Sequence, residues 1–195
     1  MFASCTPKYG VHLHNGDLLF VAANNQNLSG AIDRVTQTNH KTHYDHIALL
    51  EKKRNKYFVL QSNIPRGSEK ISLDKFLKEE NKRIDVYRLQ KSFRSIIPSA
   101  IIRAENMIGK PYNYTYVLSD TAYYCSDFIQ KSFSDDSIFA LKPMTFKNAD
   151  GKTDSAWINL YKKMNMDVPE GKPGCNPNGM AASPAIYFTG TLTAK

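Results

Sequence analysis

The chain has 195 residues, of which 42% are hydrophobic and 11% aromatic, so it is long and apolar enough to bury a full core as one globular domain. Its formal net charge of +8 is compatible with nucleic acid, anionic lipid or an acidic polymer such as cell-wall material as a partner. No stacked-aromatic or phosphate-loop motif accompanies the charge, so we expect no nucleic-acid partner. No stretch approaches the roughly 20 apolar residues that span a bilayer, so we expect no transmembrane segment.

The N-terminal residues 1–14 are predicted to form an arm outside the domain, which we assign to residues 15–195. The segment MFASC is similar to the end of a bacterial lipoprotein signal, in which small residues precede a cysteine that becomes lipidated, but the charged and apolar regions that should come first are missing. Either translation starts upstream and Cys5 anchors the protein in the bacterial cell envelope, or Cys5 is an ordinary thiol of a cytoplasmic protein.

The first half of the domain is predicted to consist of strands with short helices between them. A turn and a buried strand are predicted over NGDLLFVAA, and a helix over LSGAIDRVTQ. A β-hairpin is indicated by HIALL and KYFVLQS, which flank the charged run EKKRNK at a solvated turn. A helix capped by its first serine is predicted over SLDKFLKEEN, and a half-buried strand over IDVYRL.

The second half is predicted to be more helical. Over IPSAIIRAENMIGKPY, Pro98 suits a first helical position, and Gly109 with Pro111 ends the helix. A further helix is predicted over DSAWINLYKKMN and a closing strand over AIYFTGTL. The Gly- and Pro-rich residues 167–184 are predicted to form a long loop, and whether this loop covers a substrate groove stays open at this point.

Three cysteines, Cys5, Cys125 and Cys175, cannot all pair with one another, and their spacing is not that of a structural zinc site. At least one thiol is therefore free. Cys175 falls in the Gly- and Pro-rich segment, where we expect a free or structural thiol without a catalytic role.

Cys125 lies near the start of a predicted amphipathic helix in TAYYCSDFIQKSF, which Ser119 or Asp120 can cap. Four residues share one face of this helix: Cys125, Phe128, Ile129 and Phe133. A thiol is a useful nucleophile only as a thiolate, and the positive end of a helix or a neighbouring imidazolium lowers a thiol pKa. The position therefore suits a nucleophile, but on position alone a buried core cysteine is favoured, because cysteine is among the most buried residue types.

Five histidines precede Cys125 and are candidates for its base: His12, His14, His40, His43 and His46. Only His46 opens a clear apolar strand, in which a sheet would fix the ring, so it is the leading candidate. The run HKTHYDH also raises a metal site, but residues three apart in an extended segment do not share a face and no further ligand motif is near. We predict no metal and no cofactor.

A Cys–His site also needs a polar residue that hydrogen-bonds the histidine and fixes its tautomer. If HIALL and KYFVLQS pair as a hairpin, Gln61 lies near the end that faces His46, so Gln61 is the predicted orienting residue. Glu51 lies at the turn end of the hairpin, where we expect it to be solvated.

The segment GKPYNYTYVLSDTAYYCSDFI resembles the G-x-P-Y … C-S element of NlpC-type papain-like cysteine peptidases, whose helix-borne cysteine is the nucleophile. Papain-like enzymes place the cysteine helix before the histidine strand, whereas here His46 precedes Cys125. This inverted order resembles the circularly permuted branch that includes the YiiX-like proteins and the lecithin retinol acyltransferase relatives. Five motifs stand in the YiiX-like order: NGDLLF, YDHIALLE, KYFVLQS, IGKPYN and YYCSDFI.

The resemblance implies an α+β fold, a permuted papain-like domain in which an antiparallel sheet or small barrel carrying His46 and Gln61 packs against the Cys125 helix. It implies Cys125 as nucleophile, His46 as general base and Gln61 as orienting residue. Tyr112, from KPY, would supply or support the oxyanion site with the backbone N–H of Cys125. Many YiiX-like proteins carry a carboxylate where Gln61 stands, and CSD replaces the commoner CSE, which assigns Asp127 to local packing or a rim contact.

The activity implied is that of a thiol hydrolase, a cysteine peptidase or amidase that cleaves an amide bond in a peptide or cell-wall-derived substrate. Two alternatives stay open: a lipid acyltransferase or deacylase that uses the same cysteine, and a catalytically weak binding module with a mispositioned Gln61 or His46. Tyr124 is a candidate for the substrate groove or for core packing. Asp17 is expected to close the turn into the first strand, with a substrate-facing role as the other possibility.

Overall fold

The computed structural model describes residues 7–24, 27–36, 38, 42–134 and 138–193. Cys5 and His40 lie outside these ranges. The lipoprotein expectation and the division of the chain at residue 14 therefore stay predictions.

The centre of the fold is one antiparallel sheet of six strands. In chain order these are β1 Leu18–Ala22, β2 Tyr44–Lys53, β3 Lys56–Asn63, β4 Gly67–Ser72, β5 Ile84–Leu89 and, after the two short strands below, β8 Ile186–Thr191. Their order across the sheet is β4-β3-β2-β1-β5-β8. The sheet is open because β4 and β8 are its two edges, so the small-barrel alternative is wrong. A separate two-stranded sheet joins β6 Lys142–Pro143 to β7 Pro173–Gly174.

The helices are α1 Asn27–Val35, α2 Leu73–Glu80, α3 Ile97–Asn106, α4 Cys125–Ser132, α5 Ser155–Lys163 and α6 Pro177–Ala181, with a 3₁₀ helix over Lys91–Ile96. The predicted cap is confirmed at Ser72, whose side chain accepts from the backbone N–H of Lys75. Pro98, predicted at a first helical position, is the second residue of α3. Within the predicted loop of residues 167–184, the structure instead contains β7 and α6, since Asn176 caps α6 and Pro177 starts it.

Both faces of the sheet are covered, which follows from the two-residue period of a strand. Leu18 and Phe20 of β1 pack in one core with α3 and α4, whereas Leu19 and Val21 pack in a second core with Phe76 of α2. A third, aromatic cluster lies between α1 and α5. None of the helices in the described ranges is long and apolar enough to cross a membrane.

Candidate active site

Cys125 is the first residue of α4, and Tyr124 occupies the N-cap position without a side-chain capping bond. The expectation that Ser119 or Asp120 caps this helix is wrong because the helix begins only at Cys125. The thiol is buried, and its Sγ donates to the backbone carbonyl of Asp45 at 3.9 Å. Because the first N–H groups of a helix have no partner within it, the backbone around Cys125 presents partial positive charge.

His46 of β2 lies beside this thiol. Burial alone would lower the pKa of His46, but a hydrogen bond to the Cys125 side chain, charge interactions with Cys125 and Glu80, and a hydrogen bond to Gln61 raise it to about 9. The imidazole is therefore protonated at neutral pH. A protonated imidazole beside a thiol favours the thiolate.

Gln61 of β3 is fully buried and lies 2.7 Å, Oε1 to Nε2, from His46. Its amide nitrogen donates to Glu69 Oε1 at 2.9 Å, so the carbonyl oxygen is the end that faces the ring. His46 Nε2–H is consequently the donor to Gln61, and Nδ1 is the ring nitrogen left for Cys125. The structure thus brings together the three residues that the sequence singled out.

Glu69 of β4 is a site residue that the sequence analysis missed. It is paired directly with Gln61 across the β3–β4 ladder. Arg66 binds it through Nε to Oε2 at 2.7 Å and through Nη2 to Oε1 at 2.8 Å. Burial would raise the pKa of Glu69, but the hydrogen bonds from Arg66 and Gln61 lower it. The Pro-Arg-Gly turn after KYFVLQSN was the signal that could have revealed this second hairpin.

Three tyrosines surround the thiol. The buried Tyr112 has its hydroxyl 3.3 Å from that of Tyr116, a residue with a φ of 54° that the sequence analysis also missed. The ring of Tyr116 packs against Tyr124 and Trp157 with centroids 5.2 Å and 5.1 Å away. Tyr124 is buried in the aromatic cluster and also lines the cavity at Cys125. Its role in substrate binding stays a prediction.

A cavity of about 690 Å³ opens beside Cys125. Its lining includes Cys125, Tyr116 and Tyr124 together with many apolar side chains, among them Ile32, Val35, Phe93, Ile138, Phe139, Met144, Phe146, Trp157 and Met180. Residues of β7 and α6 form part of the wall, and so does Cys175, which lies between these two elements. Burial raises the pKa of the Cys175 thiol to about 12, so this second cysteine stays protonated at neutral pH.

Asp17 and Glu51 are both buried in ion pairs. Asp17 is fully buried, binds Arg88 at 2.7 and 2.9 Å, and accepts from the His14 backbone N–H at 2.7 Å, so it closes the turn into β1. The structure does not bring Asp17 to the cavity lining described above. The expectation that Glu51 is solvated is wrong because it is buried against Lys70 in an ion pair.

Asp127, two residues after Cys125, is fully buried rather than part of a rim. Neither of its carboxylate oxygens has a hydrogen-bond partner among the described residues. Burial raises the pKa of Asp127 to about 7, with Lys131 opposing the effect and Asp120 adding to it. This carboxyl group therefore destabilises the folded chain whenever it is ionised.

The strand that carries His46, β2, precedes the helix that carries Cys125, α4, in the chain. The model of a family described as permuted papain-like amidase enzyme, YaeF/YiiX, C92 family, matches residues 12–189. The chain belongs to this family. It is accordingly a papain-like amidase, a hydrolase of the cysteine peptidase type, and the resemblance found in the sequence is confirmed.

A solved structure gives the permuted papain-like amidase fold independent support. The crystal structure of the metalloprotein yiiX from Escherichia coli O157:H7, DUF1105, superposes with a TM-score of 0.74 at 18% identity, covering 93% of this chain and 97% of that one. At this identity the likeness concerns the fold alone. A comparison with curated proteins finds no match.

The neighbour is described as a metalloprotein. In the described ranges no group of three or more His, Cys, Asp or Glu side chains is placed to hold a metal ion. His43 instead lies 2.9 Å from Asp33, and His46 faces Gln61. The two described histidines of HKTHYDH therefore take different partners.

Proposed function

We propose that this chain cleaves an amide bond through a thiolate–imidazolium pair of Cys125 and His46, with Gln61 as the orienting residue. The observation that carries the proposal is the 2.7 Å contact between Gln61 Oε1 and His46 Nε2, which leaves the other ring nitrogen to the thiol. The raised pKa of His46 supports a charged pair at neutral pH.

The reaction runs in two steps. The Cys125 thiolate attacks the amide carbonyl, a C–S bond forms, and the carbonyl oxygen becomes an oxyanion. His46 then gives its proton to the amine as the C–N bond breaks, which leaves a thioester on Cys125. Water then gives one proton to His46 and adds to the thioester carbonyl. The C–S bond breaks, the acid leaves, and the thiolate–imidazolium pair of Cys125 and His46 is restored.

The oxyanion is stabilised by the backbone N–H of Cys125 and by the hydroxyl pair of Tyr112 and Tyr116. Tyr116 lines the cavity, and its hydroxyl is 3.3 Å from that of Tyr112. If Tyr112 donates within this pair, the proton of Tyr116 is available to the substrate. Tyr112 therefore supports the oxyanion site, and Tyr116 is the residue that contacts the substrate.

The substrate is a peptide or amidated peptide, and a cell-wall fragment is one form of it. The apolar lining of the cavity beside Cys125 favours a substrate whose acyl group is itself apolar. The same lining supports a second candidate function, deacylation of a lipid through the same cysteine. A panel of cell-wall peptides, N-acyl amides and acyl esters separates the two, because a lipid deacylase should prefer the esters.

The deciding experiment is the pH dependence of iodoacetamide labelling at Cys125, followed by mass spectrometry. Labelling that is fast near about pH 6 and is lost in His46→Ala supports the charged pair. Slow labelling, or labelling that does not depend on His46, would identify a packed thiol and the binding-module alternative. Cys175→Ser is the matched control, since a protonated Cys175 should leave the rate at Cys125 unchanged.

A further inference from the structure

Only one of the two possible orientations of the Gln61 amide suits His46. The two ends of an amide are nearly the same size, but only the oxygen can accept from His46 Nε2–H. The opposite orientation would set an NH₂ group against that N–H. Gln61 is fully buried, so such a pair of donors would stay unsatisfied.

Glu69 selects between the two orientations. An ionised carboxylate only accepts hydrogen bonds, so its 2.9 Å contact with Gln61 Nε2 requires that the NH₂ end point toward it. The oxygen of the amide then necessarily points toward His46. The charge on Glu69 makes this hydrogen bond stronger than one between neutral groups.

Two features hold Glu69 in place. Its backbone is paired directly with that of Gln61, so the separation of the side chains is set by the β3–β4 ladder. Its carboxylate receives two hydrogen bonds from Arg66, which in turn binds Glu79 of α2 at 2.7 Å. Arg66 also lowers the pKa of Glu69, which keeps it an acceptor throughout the neutral range.

We infer that Glu69 is a positioning residue for the reaction: by accepting from Gln61 Nε2 it fixes the amide orientation in which Oε1 accepts from His46. This inference rests on the proposed function for its effect on Cys125, and on geometry alone for its effect on His46. Glu69 itself contacts neither the thiol nor the imidazole among the contacts described above.

The test compares Glu69→Gln with an exchanged variant, Gln61→Glu combined with Glu69→Gln. A neutral amide at position 69 no longer dictates the orientation of Gln61, so the labelling rate at Cys125 should fall about tenfold near neutral pH. In the exchanged variant a carboxylate faces His46, and both of its oxygens accept, so no orientation has to be selected. Labelling in the exchanged variant should therefore return toward the wild-type rate.

Glu79→Gln is the matched control, because Glu79 binds the same Arg66 but does not contact Gln61 in the network described. It should label like the wild-type protein. If Glu69→Gln labels at the wild-type rate, or if its loss is not recovered in the exchanged variant, Glu69 only stabilises the hairpin and the inference is overturned.

A second readout does not depend on the proposed function. In ¹⁵N spectra of the His46 ring, the wild-type protein should show Nε2 protonated and hydrogen-bonded, and Glu69→Gln should weaken that signal while Glu79→Gln leaves it intact. Slow labelling of the wild-type protein would overturn the proposed function, and the ring spectra would still decide the role of Glu69. Identical ring spectra in the wild-type protein and Glu69→Gln would overturn the inference.

Discussion

Gln61 and His46 lie on the two neighbouring strands of one hairpin, and the amide oxygen of Gln61 is 2.7 Å from Nε2 of the imidazole. This contact fixes the orientation of the ring and therefore which nitrogen faces Cys125. Cys125 lies at the start of α4, and His46 lies on β2. The two residues form a pair although they are far apart in the chain.

Amidase activity should fall as the pH rises through about 9. His46 is protonated below its pKa of about 9, and the protonated ring supplies the proton that the leaving amine needs. Because the hydrogen bond that His46 donates to Gln61 helps to raise this pKa, Gln61→Ala should move the alkaline limb of the pH profile to lower pH. The measurement is kcat/KM for one amide substrate between pH 5 and about 10. An alkaline limb that stays in place in Gln61→Ala would contradict the assignment to His46.

Tyr116→Phe should lower kcat by about a hundredfold or more and change KM little, because it removes a donor to the oxyanion while the ring keeps its packing. The matched control is Tyr123→Phe, whose hydroxyl donates to the backbone carbonyl of Asp120 at 2.8 Å. This control should keep its kcat. Equal losses of kcat in the two variants would assign the effect to disturbed packing near α4.

Asp127→Asn should stabilise the protein, and increasingly so as the pH rises. The pKa of Asp127 lies near 7 in the folded chain against an ordinary value of 3.8, so the folded state holds a proton that the unfolded state has lost between these values. Stability therefore falls with rising pH from about 4 to about 7 and is then constant. The gain from the substitution should reach at most about 4 kcal/mol above pH 7.

Urea unfolding of the wild-type protein and Asp127→Asn at pH 4, 6 and about 8 measures this gain. Asp120→Asn is a suitable control, since Asp120 is exposed and its pKa is lowered by its hydrogen bond to Lys131. It should show no comparable rise in stability. A gain for Asp127→Asn that does not change with pH would mean that the pKa of Asp127 is the same in the folded and the unfolded chain.

Met144→Gln should reduce kcat/KM for amides with long apolar acyl groups more than for acetyl amides, because Met144 lines the cavity and a polar side chain there opposes apolar ligands. The rate of iodoacetamide labelling at Cys125 should not change. Met166→Gln is the control, as Met166 is 41% exposed and stands outside the cavity lining. Equal effects on both classes of amide would place the acyl group elsewhere.

Local patterns in the sequence predicted that His46 and Gln61 lie together, and the resemblance to the YiiX-like proteins added Cys125 to them. A hairpin determines which residues of its two strands are neighbours, so the positions of HIALL and KYFVLQS placed Gln61 near His46. Likewise, the amphipathic spacing after Cys125 predicted a helix with the cysteine near its positive end, and α4 begins at that residue.

The tertiary structure alone decided the partners that no local pattern can show. Glu69 reaches Gln61 because a third strand joins the hairpin, and Asp127 is buried because α4 packs on the sheet with both carboxylate oxygens enclosed. The open sheet and the apolar cavity likewise depend on which strands and loops meet. Hydrophobic spacing and turn residues act over a few positions, whereas burial and hydrogen-bond partners are set by contacts between segments far apart in the chain.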